Sequence, residues 1–297
     1  MTKFQIIING EFKTIPAQPG PEPPASSLLN ENAGFEDGTW ANQWSPAGSN
    51  YGDWSIGVSQ EQARTGNNSL KFQHSTPEGG SFNRCEATLD PPLYYHDFFK
   101  EYWLGFSLYI PEWSDVAPPE WNTCYQLHSV PNNGDWNAGY SGENGWTVGI
   151  RDYSTGTGYE RIGFHANELT EAQANNDIPP NSAMGVFVWE DSPIPVGVWM
   201  DFVINWKWSY LDADNPFMKL WYQKGGTGYA KVYDRSGPNM YRLDGQGLPK
   251  EPKNQTQMGS YKQTDNTTQT TFYYDNIKLG DETADFELVD PSNPANT

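Results

Sequence analysis

Hydrophobic and polar residues alternate with a period of two along much of the chain, most clearly in the segment 101–110. Because successive side chains of a β-strand point to opposite faces, this alternation is typical of strands. Helical periodicity is nearly absent, and only a marginal short helix around 168–174 is predicted. The pattern predicts ten strands, at residues 69–73, 83–89, 101–110, 123–130, 145–151, 161–165, 199–208, 217–223, 257–263 and 271–279.

The breaks between these segments are rich in Gly, Pro, Asn and Asp, which are the residues that turns require. The chain contains 29 Gly and 23 Pro among 297 residues, as expected for a turn-rich β protein. Ten or more short strands predict an all-β fold, a β-jelly-roll sandwich of two antiparallel sheets.

The predicted strands occupy one large domain, 28–285, flanked by short segments at both ends. Residues 1–15 predict a small strand-turn-strand unit, and residues 16–27 (PAQPGPEPPASS) a Pro-rich linker of the extended, semi-rigid kind. The polar residues 286–297 are expected to form a disordered tail.

The charge of the chain limits the classes of partner. Acidic residues outnumber basic ones by 37 to 18, which gives a net charge of −19. A surface of that sign repels nucleic acid and anionic lipid, and no stretch of about 18 apolar residues could span a membrane. A polyanionic ligand is also disfavoured unless the few basic residues gather in one place.

Acidic surfaces suit saline or extracellular media, so we expect an extracellular protein, secreted without a visible signal or carried on a virion. No feature indicates an obligate protein partner.

Three strand segments place polar residues two positions apart and therefore on one face of a strand. They are Arg84-Cys85-Glu86, Gln126-Leu127-His128 and residues 257–263 (QMGSYKQ). Taken singly, none is specific, because an Arg with a Glu two residues later is more often an ion pair and a single His beside Leu is usually structural.

In this order, the three segments resemble motifs of the jelly-roll polysaccharide lyases. Alginate lyases carry Arg-x-Glu-Leu, Gln-Ile-His and Lys-x-Gly-x-Tyr-x-Gln strands, and glucuronan and heparinase-like lyases are related to them. Weaker matches lie at 102–111, 197–209 and 272–280, so the resemblance spans about residues 69–281. It implies a concave substrate cleft and cleavage of an acidic, uronic-acid polysaccharide by β-elimination.

The resemblance also implies roles for individual residues. Arg84 and Gln126 would hold the substrate carboxylate, and His128 and Tyr261 would be the proton-transfer pair, with Tyr261 the acid and, after deprotonation, a candidate base. Glu86 would orient Arg84. The implied substrate-binding residues are Glu86, Gln257, Lys262, Gln263 and Lys207.

One position departs from the family pattern, because Gln257 stands where these lyases usually carry Lys, four residues before the Tyr. The loss of a cation weakens charge neutralisation. The substrate could differ from alginate, Lys207 or Lys262 could substitute, or the protein could be a non-catalytic carbohydrate-binding jelly-roll module. A glycoside hydrolase is less favoured, since the acidic residues cluster in turns and do not form a facing pair on strands.

The cysteines and a metal site complete the predictions. Cys85 and Cys124 are expected to be free thiols, because Cys85 points away from the face shared by Arg84 and Glu86. Residues 32–38 and 64–70 look like the opening of carbohydrate-binding jelly rolls, which often hold a structural Ca²⁺. Glu36 and Asp275 would supply carboxylates, although both could be ordinary turn and cap residues. We expect no organic cofactor, and no His or Cys clustering suggests zinc.

Overall fold

The computed structural model describes residues 4–8, 11–15, 28–30, 34–41, 43–47, 54–74, 83–90, 95–113, 121–134, 144–151, 161–177, 187–262 and 269–293. The strands are β1 (Phe4–Ile8), β2 (Glu11–Ile15), β3 (Trp44–Pro46), β4 (Trp54–Ser59), β5 (Ser69–His74), β6 (Asn83–Leu89), β7 (Tyr95–Asp97), β8 (Glu101–Tyr109), β9 (Trp121–Ser129), β10 (Asn144–Arg151), β11 (Arg161–Ala166), β12 (Trp189–Asp191), β13 (Trp199–Lys207), β14 (Phe217–Lys224), β15 (Ala230–Ser236), β16 (Lys253–Lys262) and β17 (Thr270–Asp281). The helices are α1 (Glu171–Asn176) and α2 (Phe286–Val289).

Two antiparallel sheets form the body of the molecule, which confirms the predicted all-β jelly roll. The first, called the site sheet, has the strand order β12-β11-β10-β9-β16-β6-β3, and β7 pairs with β16. The second sheet has the order β15-β14-β13-β8-β17-β5-β4. The hairpin β1-β2 forms a separate two-stranded sheet.

Aromatic rings fill the core between the sheets. The ring of Phe106 from the second sheet stacks on Tyr125 of the site sheet at 4.6 Å and on Phe202 at 5.0 Å. Trp146, Trp206 and Trp208 are also fully buried. Stacking of inward-facing residues from both sheets explains why the strand pattern alternates so clearly.

All ten predicted strands are present, with ends shifted by a few residues. The pattern missed β3, β7 and β12, which have three residues each and are too short for alternation to register. It also missed β4 and β15, which pair with one neighbour each at the edges of the second sheet. The short helix is present as α1, whose start is set by a capping box between Thr170 and Gln173.

The C-terminal end differs from its prediction. The disordered tail expected at 286–297 is wrong for residues 286–293, because α2 packs on the sheet with Val289 fully buried. Lys278 Nζ donates hydrogen bonds to the carbonyl oxygens of Asp290 and Asn293 at 2.8 and 2.9 Å. The Pro-rich segment 16–27 lies outside the described residues.

Cys85 and Cys124 are both buried and free, as predicted. Burial raises the pKa of the Cys85 thiol to about 12, so the thiol is protonated and unreactive at neutral pH. Neither α1 nor α2, the helices of the described part of the chain, is long enough to cross a membrane.

Candidate active site

The three predicted motifs come together on β6, β16 and β9, which are neighbours in the site sheet. Gln257 lies directly opposite Gln126, and Tyr261 lies directly opposite Arg84. The outer surface of the site sheet that carries these residues and Glu86 is called the site face. Residues widely separated in sequence therefore meet on one surface, as the motifs predicted.

Hydrogen bonds link the middle of the site face. The Gln126 side-chain amide donates to Glu86 Oε1 at 2.7 Å and to Gln257 Oε1 at 3.0 Å. Arg84 Nε lies 2.9 Å from Glu86 Oε2 and forms an ion pair with it. Gln257 therefore orients Gln126 by accepting one of its N–H groups, a role that a Lys could not take because an ammonium has no acceptor.

Glu86 is a fully buried carboxyl group in this network. Burial raises its pKa above the ordinary value, although the charge of Arg84 and the hydrogen bond from Gln126 both act to lower it. Desolvation therefore outweighs the ion pair at this position.

Tyr261 is the partly exposed end of the network. The Arg84 guanidinium carbon lies 4.1 Å from the centre of its ring, and the Trp121 ring stands perpendicular to it at 4.8 Å. Burial raises the pKa of Tyr261, while the charge of Arg84 acts to lower it. The net effect keeps the phenol protonated at neutral pH, so Tyr261 can donate a proton.

A β-bulge in β16 sets the position of Tyr261. The register with β9 shifts between Met258 and Tyr261, and Gly259 within the bulge has φ of 139°. A Cβ at this position would overlap the Cys85 carbonyl oxygen, so the close approach of β6 requires glycine.

His128 lies on the same face, two residues beyond Gln126. Its Nδ1 is 2.9 Å from the Ser129 carbonyl oxygen, and since a carbonyl can only accept, Nδ1 carries the proton. Burial, together with the positive charges of Arg84 and Lys250, lowers the pKa of His128 to about 4, although the hydrogen bond to Ser129 acts to raise it. His128 is therefore a neutral imidazole at neutral pH, and Nε2 is the ring nitrogen that carries no proton.

The register sets the spacing of the two proton-transfer candidates. Tyr261 is opposite Thr123, five residues before His128, so their backbones are separated by roughly 15 Å along the strands. Gln126 lies between them. His128 and Tyr261 thus lie at opposite ends of the hydrogen-bonded network. They are not cross-strand partners.

Two predicted substrate-binding residues are wrong. Lys262 alternates with Tyr261, is fully buried between the sheets, and its Nζ lies 3.4 Å from Thr270 Oγ1. Lys207 lies on β13 of the second sheet beside the core residue Trp206, so it points outward from the opposite side of the molecule. Gln263 lies outside the described residues.

The structure adds residues that the motifs did not indicate. Lys250, in the segment before β16, is buried, and its charge influences the pKa of His128. Its own pKa is lowered well below the ordinary value by burial. Trp121 and Arg151 also lie on the site face, as direct partners on β9 and β10. No local sequence pattern connects these residues, because the pairing of distant strands brings them together.

The predicted calcium ligands lie near each other, with Asp275 in the middle of β17. Glu36 accepts hydrogen bonds from the backbone N–H groups of Asn67 and Asn68, and Asp275 accepts them from Arg64 and Thr65. Burial, together with the nearby charge of Glu36, raises the pKa of Asp275 to about 7, although the backbone hydrogen bonds act to lower it. Two carboxylates offer the oxygen chemistry that Ca²⁺ prefers. Within the described ranges, no group of three or more His, Cys, Asp or Glu residues is placed to hold a metal.

Comparisons with known proteins agree with this architecture. A family model described as polysaccharide lyase matches residues 35–278. No curated protein matches the sequence. An endo-β-1,4-glucuronan lyase from the fungus Trichoderma reesei superposes with a TM-score of 0.54 at 17% identity, covering 83% of this chain and 93% of its own.

Two further solved structures are similar. The catalytic domain of a glycoside hydrolase family 131 protein from Coprinopsis cinerea gives a TM-score of 0.53 at 12% identity, covering 85% of this chain and 93% of its own. A PL-14 alginate lyase from Aplysia kurodai gives 0.45 at 11% identity, covering 76% and 86%. At such identities, the first two likenesses concern the fold.

Proposed function

Since the chain belongs to the polysaccharide lyase family, we propose that it cleaves a uronic-acid polysaccharide of the glucuronan or alginate type by β-elimination. The observation that carries this proposal is the meeting of Arg84, Gln126, His128 and Tyr261 on one face of three adjacent strands. Elimination requires a group that neutralises the uronate carboxylate, a base that removes the proton beside it, and an acid that protonates the leaving oxygen. These four residues offer all three.

Arg84 is the group best placed to meet the substrate carboxylate. Its side chain is 16% exposed, whereas Gln126 and Glu86 are buried, so substrate reaches the network from the side of Arg84 and Tyr261. A guanidinium can bind a carboxylate with two parallel hydrogen bonds. Gln126 would join by exchanging one of its bonds to Glu86 or Gln257 for one to the substrate.

The protonation states support different proton-transfer roles for His128 and Tyr261. His128 is a neutral imidazole whose Nε2 carries no proton, so it would act as the base that removes the proton beside the carboxylate. Tyr261 is a protonated phenol, so it donates a proton to the leaving oxygen.

Lys250 is the residue that would replace the cation absent at position 257. Lys207 and Lys262 face elsewhere, while the charge of Lys250 influences His128 directly. Its ammonium lies 6.0 Å from the ring of Tyr241. A substrate carboxylate beside it would favour the charged form of the lysine, which in turn would stabilise the enolate-like anion.

We also propose that Glu36 and Asp275 hold a structural Ca²⁺, together with backbone or water oxygens. The ion would neutralise two neighbouring carboxylates and stabilise the junction between the 64–68 loop and β17. Both carboxylates already anchor that loop, so the ion would strengthen an existing contact. The substrate polymer leads us to place the protein outside the cell.

The direct test is to incubate the protein with glucuronan, alginate and heparin-type polysaccharides and to follow the ultraviolet absorbance of unsaturated product. Tyr261→Phe is expected to lower kcat by roughly 10²–10⁴ while substrate binding persists, and His128→Ala to lower turnover strongly. Wild-type activity in Tyr261→Phe would contradict the acid role.

Two other functions give different outcomes in that assay. A non-catalytic binding module would bind uronates without producing absorbance. A hydrolase would release reducing ends without absorbance and would need two facing carboxylates. On the described part of the site face, Glu86 is ion-paired to Arg84 and bonded to Gln126, which disfavours this role.

A further inference from the structure

A row of polar side chains crosses the site face at the level of Gln126. The successive cross-strand partners in this row are Thr88, Gln257, Gln126, Thr147 and His165, on β6, β16, β9, β10 and β11. All five are buried, although they lie on the outer surface of the sheet. Buried polar groups in such a place are expected at the floor of a groove, where a few of them orient a ligand.

His165 ends this row on β11, and the chemistry described above does not use it. Its neighbours Phe164 and Ala166 belong to the core, so the side chain of His165 points to the site face. Nδ1 of His165 is enclosed and has no hydrogen-bond partner among the described residues, whereas Nε2 is not enclosed in this way. A histidine kept for structure is expected to have its buried nitrogens hydrogen-bonded, because an unsatisfied buried polar group costs free energy.

The tautomer of His165 follows from these surroundings. Burial and the charge of Arg151 lower the pKa of His165 to about 4, so the imidazole is neutral at neutral pH. A neutral imidazole has one N–H donor and one acceptor nitrogen. Since enclosed N–H groups without an acceptor are rare, Nδ1 is the bare nitrogen and Nε2 carries the proton. His165 therefore offers an Nε2–H donor, whereas Nε2 of His128 carries no proton.

An apolar ring lies next to His165 on the site face. Gly163 is two residues before His165 and shares its face, and a Cβ at Gly163 would overlap the ring of Phe187. The Phe187 ring therefore lies over β11 on this side of the sheet. A neutral donor beside an apolar ring suits an uncharged sugar hydroxyl better than a carboxylate, which is bound most strongly by charged donors.

We propose that His165 is a further substrate-binding residue, whose Nε2–H donates a hydrogen bond to a hydroxyl group of a sugar next to the one held at Arg84 and Gln126. This inference rests on the proposed function. Gln126 and His165 are separated by two strand spacings, about 10 Å, so they meet different sugars. The polysaccharide then crosses the strands from β6 to β11, a distance of about 19 Å. Because the uronates of glucuronan and alginate differ in the orientation of their hydroxyl groups, a fixed donor at His165 distinguishes the two polymers.

The test measures binding by titration calorimetry of short and long oligosaccharides prepared from glucuronan and from alginate. It uses the Tyr261→Phe background so that substrate is preserved during the titration. We expect His165→Leu to weaken binding of the long oligosaccharides roughly threefold to tenfold, the value of about one net hydrogen bond. Oligosaccharides too short to reach from Arg84 to β11 should bind unchanged, and the ratio of affinities for the two polymers should move towards one. His165→Gln can place an N–H group near the position of Nε2, so it should restore part of the affinity.

Stability measurements separate this role from a structural one. His165→Leu removes an enclosed nitrogen that has no partner, so the urea midpoint should stay unchanged or rise. His96→Leu is the matched control, because His96 is also buried but lies on the core side of the site sheet, where its ring packs against Tyr102 and its Nε2 pairs with Thr256 Oγ1. Loss of that hydrogen bond should lower the midpoint and leave the affinity of the folded protein for oligosaccharides unchanged.

The outcomes distinguish this inference from the proposed function. Unchanged affinity in His165→Leu, equal weakening of short and long oligosaccharides, or a lowered urea midpoint would overturn the inference, and unsaturated product from the wild type would leave the lyase proposal standing. Selective weakening of the long oligosaccharides, without unsaturated product from the wild type, would support the binding role and overturn the activity. Absence of binding to every oligosaccharide would overturn both.

Discussion

Replacing Glu86 by Gln tests whether the buried ion pair stabilises the fold. Glu86 is fully buried, and burial raises its pKa above 4.5 despite Arg84 2.9 Å away. The charged carboxylate therefore costs more in the fold than in water. Gln keeps an oxygen to accept from Gln126 and removes that cost, while Arg84, partly exposed, loses its counter-charge at a cost of about 1 kcal/mol. We expect the free energy of unfolding at neutral pH to change by less than about 1 kcal/mol.

The pH dependence sharpens this prediction. Because the native state holds the Glu86 proton more tightly than the unfolded chain, wild-type stability falls as pH rises from 4.5 through the raised pKa of the folded state. That part of the decline should disappear in Glu86→Gln. Glu86→Ala, which leaves a cavity and an unsatisfied amide on Gln126, should lose about 2–4 kcal/mol.

The assay is urea denaturation across a pH series, followed by tryptophan fluorescence. Glu112→Gln, which removes the charge of an exposed glutamate, is the matched control. A decrease of more than about 3 kcal/mol in the free energy of unfolding of Glu86→Gln would refute the reasoning, because the ion pair would then be strongly stabilising.

The same variant should shift the alkaline limb of the activity profile to lower pH, since Glu86 acts to raise the pKa of Tyr261.

Three other predictions concern His128, Asp275 and Gln257. Because the pKa of His128 is lowered to about 4, the acid limb of kcat/KM should fall near that pH, and a limb near 6.5 would contradict its role as base. Because the Asp275 pKa is raised to about 7, thermal stability in EDTA should fall as pH rises towards 7. Calcium should reverse that fall, and Asp275→Asn should abolish both effects. Gln257→Lys is expected to increase alginate cleavage by adding a cation beside Gln126, and an unchanged rate of product formation would indicate that Lys250 already supplies the charge.

Much of the fold was predictable from local pattern. Alternation in segments such as 101–110 identified ten strands, because a strand with one face in the core has a hydrophobic residue at every second position. The three motifs identified Arg84, Gln126, His128 and Tyr261 for the same reason, since residues two apart share a face whatever the strand pairs with. No comparable signal marks the three-residue strands or the packed segment 286–293. These segments take their structure from contacts with other parts of the chain, which a local sequence pattern does not record.

The sequence by itself determined ten strands of the two sheets, the fold class and which residues within one strand share a face. Alternation also places Lys262 opposite to Tyr261, but only the structure decided that the Lys262 side is the core. Strand pairing likewise assigned Lys207 to the second sheet and brought Arg151 against Trp121 and Lys250 near His128. The physical reason is that alternation is a property of neighbouring residues, whereas sheet membership and register depend on contacts between segments far apart in the chain.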